Sequence, residues 1–303
     1  MEYGGQRPVE IWRVNAFTDT PFTGNPAGVV PQAAGLSDAL MQSIATEVND
    51  ISETVFILPP EAEGADLRLR FFTSTTEVDL CGHATISALF VLHWRGDING
   101  HDETRIIRAQ TRVGVLELGL TFEDGRLLYA TMEQLAPEVA PATGARRAAE
   151  VLGVAPSAIA PQPEIACCSS GLWVCFVPFN EVAQLAQINL RRELIDQLWP
   201  ENPDLVGVYA FAFIDPQTTQ GRFFSPARYG ILEDPVTGTA SGALGGYLIA
   251  NQQMPASGVL LARQGVEMGR PGWVQVRRNA NGKMSISGRA VAIIKGHVLL
   301  GKL

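Results

Sequence analysis

The sequence predicts an α+β protein made of two similar halves, and three observations lead there. Short apolar runs of strand character far outnumber helical stretches, and they are not arranged as a regular strand–helix alternation. A pattern recurs: Arg70-Phe71-Phe72 followed by Glu77-Val78-Asp79-Leu80-Cys81-Gly82-His83-Ala84-Thr85, then Arg222-Phe223-Phe224 followed by Glu233-Asp234-Pro235-Val236-Thr237-Gly238-Thr239-Ala240-Ser241. Each recurrence leads into a helix with no polar face, and such a helix must be buried. Two copies of a strand-rich unit, each wrapped on its own helix, would leave a cleft between them, where small-molecule sites tend to lie.

The elements follow in order. Val9–Phe17 reads as a strand, the TPFTGNP stretch as a turn, and Ala27–Val30 as a short strand. Ser37–Asn49 is helical, with Leu36, Leu40, Ile44 and Val48 on one stripe and Ser37 as cap. Thr54–Leu58 and Leu67–Phe72 are strands. Ala84–Trp94 is the first buried helix, apolar through Ile86, Leu89, Phe90, Val91 and Leu92. Strands come next at 105–108, 113–120 and 127–132. The Pro- and Ala-rich stretch 136–144 reads as a linker. In the second half, 145–152 and 190–199 read as helices, and 173–177, 206–213 and 221–224 as strands. The small-residue stretch 240–251 is the second buried helix. Strands close the chain at 259–264, 273–278, 284–287 and 290–299.

Composition removes whole classes of function. With 303 residues, 46% of them hydrophobic, the chain has enough apolar material for full cores. A formal net charge of −8 argues against nucleic-acid binding. No apolar run is long enough to cross a membrane, and the first ten residues lack the apolar core of a signal peptide. The four cysteines form no C-x-x-C pair. A cytoplasmic location is therefore expected. His93 and His101 have no H-x-x-x-H or H-E-x-x-H context, so no metal site is expected. The G-x-S-x-G elbow, the phosphate-binding loop and the dinucleotide fingerprint are all absent from the sequence.

The candidate chemistry lies at the two helix starts. Glycine-led starts at Gly82 and Gly238 offer backbone N–H groups and a positive dipole end, suited to a carboxylate. His83 sits in the first turn, where it can exchange protons with a ligand. Glu53 precedes an apolar strand, where partial desolvation would raise its pKa and suit it to acid/base work. Asp234 could orient His83 or act as a second acid/base group, and Asp79 is taken as its first-half counterpart. Each residue has a plainer alternative: a satisfied structural histidine, a solvated loop carboxylate, or an aspartate fixing a turn.

The motifs together resemble the PhzF family of phenazine-biosynthesis-like isomerases. The matching segments are Val14-Asn15-Ala16-Phe17-Thr18, Gly24-Asn25-Pro26-Ala27-Gly28-Val29, Ser52-Glu53-Thr54-Val55-Phe56, Leu69-Arg70-Phe71-Phe72-Thr73, Asp79–Thr85 and Glu233–Gly238. The resemblance implies a diaminopimelate-epimerase-like α+β fold with two pseudo-symmetric lobes, each a strand-rich sheet curled around a central helix. It places the first lobe at 1–135 with 290–303 and the second at 136–289, with the active site in the cleft. It implies Glu53 as general acid/base, His83 and Asp234 as polar partners, and Gly82, Ala84, Asp79, Gly238 and Thr239 lining the substrate site. Thr239 stands where the family often has Ser. The resemblance also implies a homodimer with no cofactor or metal.

The expected activity is thus a proton shift on a small carboxylated, cyclic, dihydro-hydroxyanthranilate-like substrate. Two rivals stand beside it. One is an amino-acid racemase or epimerase using Cys81, disfavoured because the second helix start offers Ser241 and no thiol. The other is a non-catalytic member that binds a small molecule.

Overall fold

The computed structural model describes residues 8–48 and 53–300. Asn49, expected to end the first helix, lies outside the described residues, as do residues 1–7. The chain forms two compact units, one from 1–132 with 288–303 and the other from 133–287.

The first unit contains β1 (Val9–Ala16), β2 (Asn25–Val30), α1 (Asp38–Val48), β3 (Thr54–Leu58), β4 (Leu67–Phe72), β5 (Glu77–Val78), α2 (Gly82–Trp94), β6 (Thr104–Thr111), β7 (Gly114–Glu123) and β8 (Arg126–Glu133). The second contains β9 (Glu138–Pro141), α3 (Ala145–Leu152), β10 (Ala166–Ser169), β11 (Trp173–Pro178), β12 (Leu205–Asp215), β13 (Thr218–Phe224), β14 (Glu233–Asp234), α4 (Gly238–Ala250), β15 (Val259–Gln264), β16 (Gly272–Arg278) and β17 (Met284–Gly288). The last strand, β18 (Ala290–Val298), returns to the first unit and pairs antiparallel with β1, from Val9 opposite Val298 to Ala16 opposite Ala290.

The two units repeat one topology. In the first, β1 is antiparallel to β2, β2 parallel to β3, β3 antiparallel to β4, and β4 parallel to β6. In the second, β10 is antiparallel to β11, β11 parallel to β12, β12 antiparallel to β13, and β13 parallel to β15. The outer strand also repeats, since β18 lies on β1 and β9 lies on β10.

Each unit's sheet packs on its own central helix. Ala84 to Leu92 of α2 are buried without a break, and the helix lies against β1, β2, β3 and β18. Helix α2 packs along β2 and Val30 joins the cluster around α1, and all six β2 residues are buried, as expected of a strand covered on both sides. Packed on the outside of the sheet, α1 buries Met41, Ile44 and Ala45 against Phe56 and Phe72. Ser37 Oγ accepts from the Leu40 N–H at 3.3 Å, the expected cap. In the second unit the outer layer is α3 with two 3₁₀ segments, Val182–Gln187 and Arg192–Leu198.

Helix α4 shows why its sequence is so rich in glycine. A Cβ at Gly242 would stand 1.7 Å from Gln134 Oε1, and one at Gly246 would stand 2.4 Å from Pro137 Cβ. The 134–141 segment therefore runs directly over the helix. This corrects the linker expected at 136–144, where β9 forms instead. Its backbone pairs with β10 in register, and Pro141 sits at its last position, where a missing N–H costs least. The helix expected at 190–199 is also corrected. It is a 3₁₀ segment ending before Pro200, and its buried residues, Ile195 and Leu198, follow the three-residue repeat of that helix.

Strand β10 was not expected. Its Ala-Cys-Cys-Ser sequence shows no alternation, because Cys167, Cys168 and Ser169 are all buried. Gly221 allows another close approach. A Cβ there would stand 2.2 Å from the ring of Tyr209, which lies fully buried across β13.

Candidate active site

In the first unit the sequence brings three chemically active side chains to one point. Glu53 leads into β3, whose next residues Thr54, Val55 and Phe56 are fully buried. Cys81 is the residue before α2, in extended conformation, and His83 lies in the first turn. His83 Nε2 stands 3.2 Å from Glu53 Oε2, with the two side chains 11% and 20% exposed. The Cys81 Sγ lies 3.4 Å from His83 Nδ1 and 3.7 Å from Nε2. One donor atom from each residue falls within 4.8 Å of the others. Among the described residues no other three such side chains gather this way.

The electrostatics follow from the packing. Burial works against a charge on His83. The Cys81 sulfur and the Glu53 carboxylate outweigh it and hold the imidazole well above its usual pKa. Burial, helped by the Glu53 carboxylate, pushes the Cys81 thiol up, against the opposing pull of His83. Cys81 is 7% exposed. It is thus both shielded and mostly protonated at neutral pH, so iodoacetamide should label it in the folded protein at least about tenfold more slowly than in the denatured chain. Peptide mass mapping at pH 7 measures this, and rapid labelling at Cys81 would contradict it.

In the second unit the same positions carry different chemistry. The Thr237 hydroxyl donates to Asp234 Oδ2. Gln264, 1% exposed, accepts from the Thr237 N–H at 3.1 Å and donates to the Asp234 carbonyl at 2.6 Å. Gln264 escaped the sequence reading because it lies at the far end of β15 with no motif around it. Neither α2 nor α4 is capped by a side-chain hydroxyl or carboxylate. Instead the Thr85 hydroxyl bonds back to the Cys81 carbonyl at 2.8 Å, and the Ser241 hydroxyl to the Thr237 carbonyl at 2.9 Å.

The strand pairing corrects one expected equivalence. Phe72 pairs with Glu77 and Phe224 with Glu233, so Glu77 matches Glu233 and Val78 matches Asp234. Asp79 is therefore not the counterpart of Asp234. It is 69% exposed and faces Arg112 at 3.6 Å, outside the cluster. The counterpart of Cys81 is Thr237, each the residue before its helix, and Ser241 matches Thr85. A pair of thiols at duplicated positions does not exist, and this removes the main support for a two-cysteine racemase.

The remaining expected residues sit at the helix starts. Gly82 and Gly238 are the first helical residues, Thr239 is half-buried, and Ala84 is fully buried. Ala84, expected to line the substrate site, therefore presents no surface to a ligand in this structure.

The comparisons fit this layout. The sequence matches the PhzC-PhzF family, phenazine biosynthesis-like protein, over residues 14–296. The chain belongs to the PhzC-PhzF family. An uncharacterized isomerase of Bacillus subtilis, YfhB, is 33% identical, over 94% of this chain and 97% of that protein. The trans-2,3-dihydro-3-hydroxyanthranilate isomerase of Pseudomonas aeruginosa is 31% identical, over 95% and 98%. A crystal structure of a Bacillus anthracis PhzF-family protein superposes with a TM-score of 0.86 at 30% identity, covering 97% of this chain and all of that one. A hydroxyproline epimerase from Agrobacterium vitis shares the fold, with a TM-score of 0.66 at 14% identity over 98% and 94%. This PhzC-PhzF protein is accordingly an isomerase with the epimerase-like α+β fold expected from its sequence. No helix among its described residues is long and apolar enough to cross a membrane.

Proposed function

We propose that this PhzC-PhzF isomerase moves a proton between carbon positions of a small cyclic carboxylated substrate of the dihydro-hydroxyanthranilate type, with Glu53 as the acid/base. The observation that carries the reading is the 3.2 Å contact between Glu53 Oε2 and His83 Nε2 at a half-buried helix start. The reaction needs one group that takes a proton from carbon and returns it to another carbon on the same face. A carboxylate held by one oxygen and partly shielded from water can do both steps.

His83 fixes the carboxylate and, when protonated, balances its charge. The N–H groups of the first turn of α2, beginning at Gly82, suit the substrate carboxylate. In the second unit Asp234 is held by Thr237 and Gln264, with Gly238 and Thr239 at the following helix start. A homodimer, a cytoplasmic location and a reaction without a cofactor belong to the same reading.

The test is direct. The purified protein is incubated in D₂O with trans-2,3-dihydro-3-hydroxyanthranilate and with a panel of other cyclic and acyclic carboxylic acids. The expected product is an isomer of unchanged composition, carrying at most one deuterium at the newly formed C–H. No isomerisation of any cyclic acid, together with racemisation of an amino acid, would overturn the reading in favour of a racemase.

A further inference from the structure

The geometry points to a second property of the Glu53–Cys81–His83 trio: it is a zinc-binding site through which the metal inhibits the enzyme. The three side chains offer a carboxylate oxygen, a thiol sulfur and an imidazole nitrogen, a donor set that selects zinc over magnesium or calcium. Tetrahedral zinc, with bonds of about 2.0–2.3 Å, separates neighbouring donor atoms by roughly 3.3–3.7 Å. Here Glu53 Oε2 to His83 Nε2 is 3.2 Å and Cys81 Sγ to His83 Nε2 is 3.7 Å. The third separation also falls within 4.8 Å. The Cys81 sulfur also lies 3.4 Å from Nδ1, beside the ring, so the trio gathers the three donors at one point and binding turns the imidazole and the thiol toward a shared ion.

Three protein donors leave a fourth position for water, the open arrangement of non-structural zinc sites. Glu53 is 20% exposed and gives the ion a way in. On coordination the thiol releases its proton to solvent and the sulfur binds as thiolate. The sequence hides the site because Glu53 comes from a different element and Cys81-Gly82-His83 matches no standard ligand spacing. Inhibition rests on the reading of Glu53 as the acid/base, since a carboxylate bound to zinc no longer accepts a proton from carbon. Binding does not rest on it.

The full-length, metal-free protein is titrated with Zn²⁺ by calorimetry and with Co²⁺ by absorbance. One ion per chain is expected, with a cobalt–thiolate charge-transfer band in the near ultraviolet. Cys81→Ser should abolish the band. It should also weaken zinc binding by more than tenfold, because even outer-sphere partners of a metal typically contribute about 10–100-fold. His83→Gln provides a second variant, expected to weaken zinc binding comparably. Added zinc should inhibit turnover, and a chelator should restore it. Wild-type protein that shows no thiolate band, or Cys81→Ser protein that binds zinc as tightly as wild type, overturns the site. Binding as described without inhibition of a measurable turnover would instead overturn the role given to Glu53, leaving the metal site standing.

Discussion

Glu53→Gln protein should fold normally and lose turnover by about 10²–10⁴-fold, the usual contribution of a positioned acid/base. The amide keeps the size and a hydrogen-bonding oxygen toward His83, so the start of α2 need not rearrange. It cannot take a proton from carbon. The circular dichroism spectrum and melting temperature check the first half of this expectation, and steady-state rates check the second. Full activity in the variant would sink the assignment.

The same variant carries an independent readout. The Glu53 carboxylate is one of the groups holding the His83 pKa up. Its removal should bring the imidazole down, detectable by NMR titration of the ring protons. The sign for stability follows. A histidine whose folded pKa is raised stabilises the fold below its unfolded value of about 6.5, and the contribution fades as pH rises through the folded value. Wild-type protein should therefore lose more stability than Glu53→Gln between pH 6 and the folded His83 pKa.

Arg222→Met should destabilise the second unit by about 3 kcal/mol, the lower end for stranding one partner of a largely buried ion pair. Arg222 holds Glu233 through two bonds of 2.8 Å each and donates to the Leu185 carbonyl at 2.9 Å. Its guanidinium also lies over Phe224 at 4.8 Å. Arg222 and Glu233 are only 13% and 14% exposed, so loss of the cation leaves a carboxylate and a carbonyl with little access to water. Urea unfolding measures the loss. A second substitution, Glu233→Leu, should recover much of it, because removing both charges relieves the stranded one. A cost below about 1 kcal/mol for Arg222→Met would show the pair to be an ordinary surface contact. In the first unit Arg70 pairs with Glu77 through the same two bonds, but its third partner, Asp38, is 79% exposed.

These two arginines show what was legible in the sequence. The repeated Arg-Phe-Phe followed by an acidic residue is a repeated ion pair across two paired strands, and its recurrence revealed the duplication. Helices α2 and α4 were legible because an all-apolar helix has only one place to go. The class of fold and the identities of Glu53, His83 and Asp234 were readable because motifs are local.

One correspondence within the repeat was matched by residue type and not by position. Asp79 was matched to Asp234 by chemical type, although Glu77–Thr85 and Glu233–Ser241 line up with Val78 opposite Asp234. Strand register corrected it, since backbone pairing fixes which residues correspond whatever the loop length. Strands β9 and β10 were invisible for a related reason. Their residues follow no period, and what makes them strands is pairing with each other and close passage over the glycines of α4.

By itself, the sequence determined that the chain is a duplicated α+β isomerase with a glutamate, a histidine and an aspartate worth testing. Only the tertiary structure decided that Glu53, Cys81 and His83 share one point, that Asp79 does not join them, and that Gln264 braces Asp234. The physical reason is distance. Local pattern records which face a residue presents, whereas contacts between remote segments arise only when the strands that carry them pair.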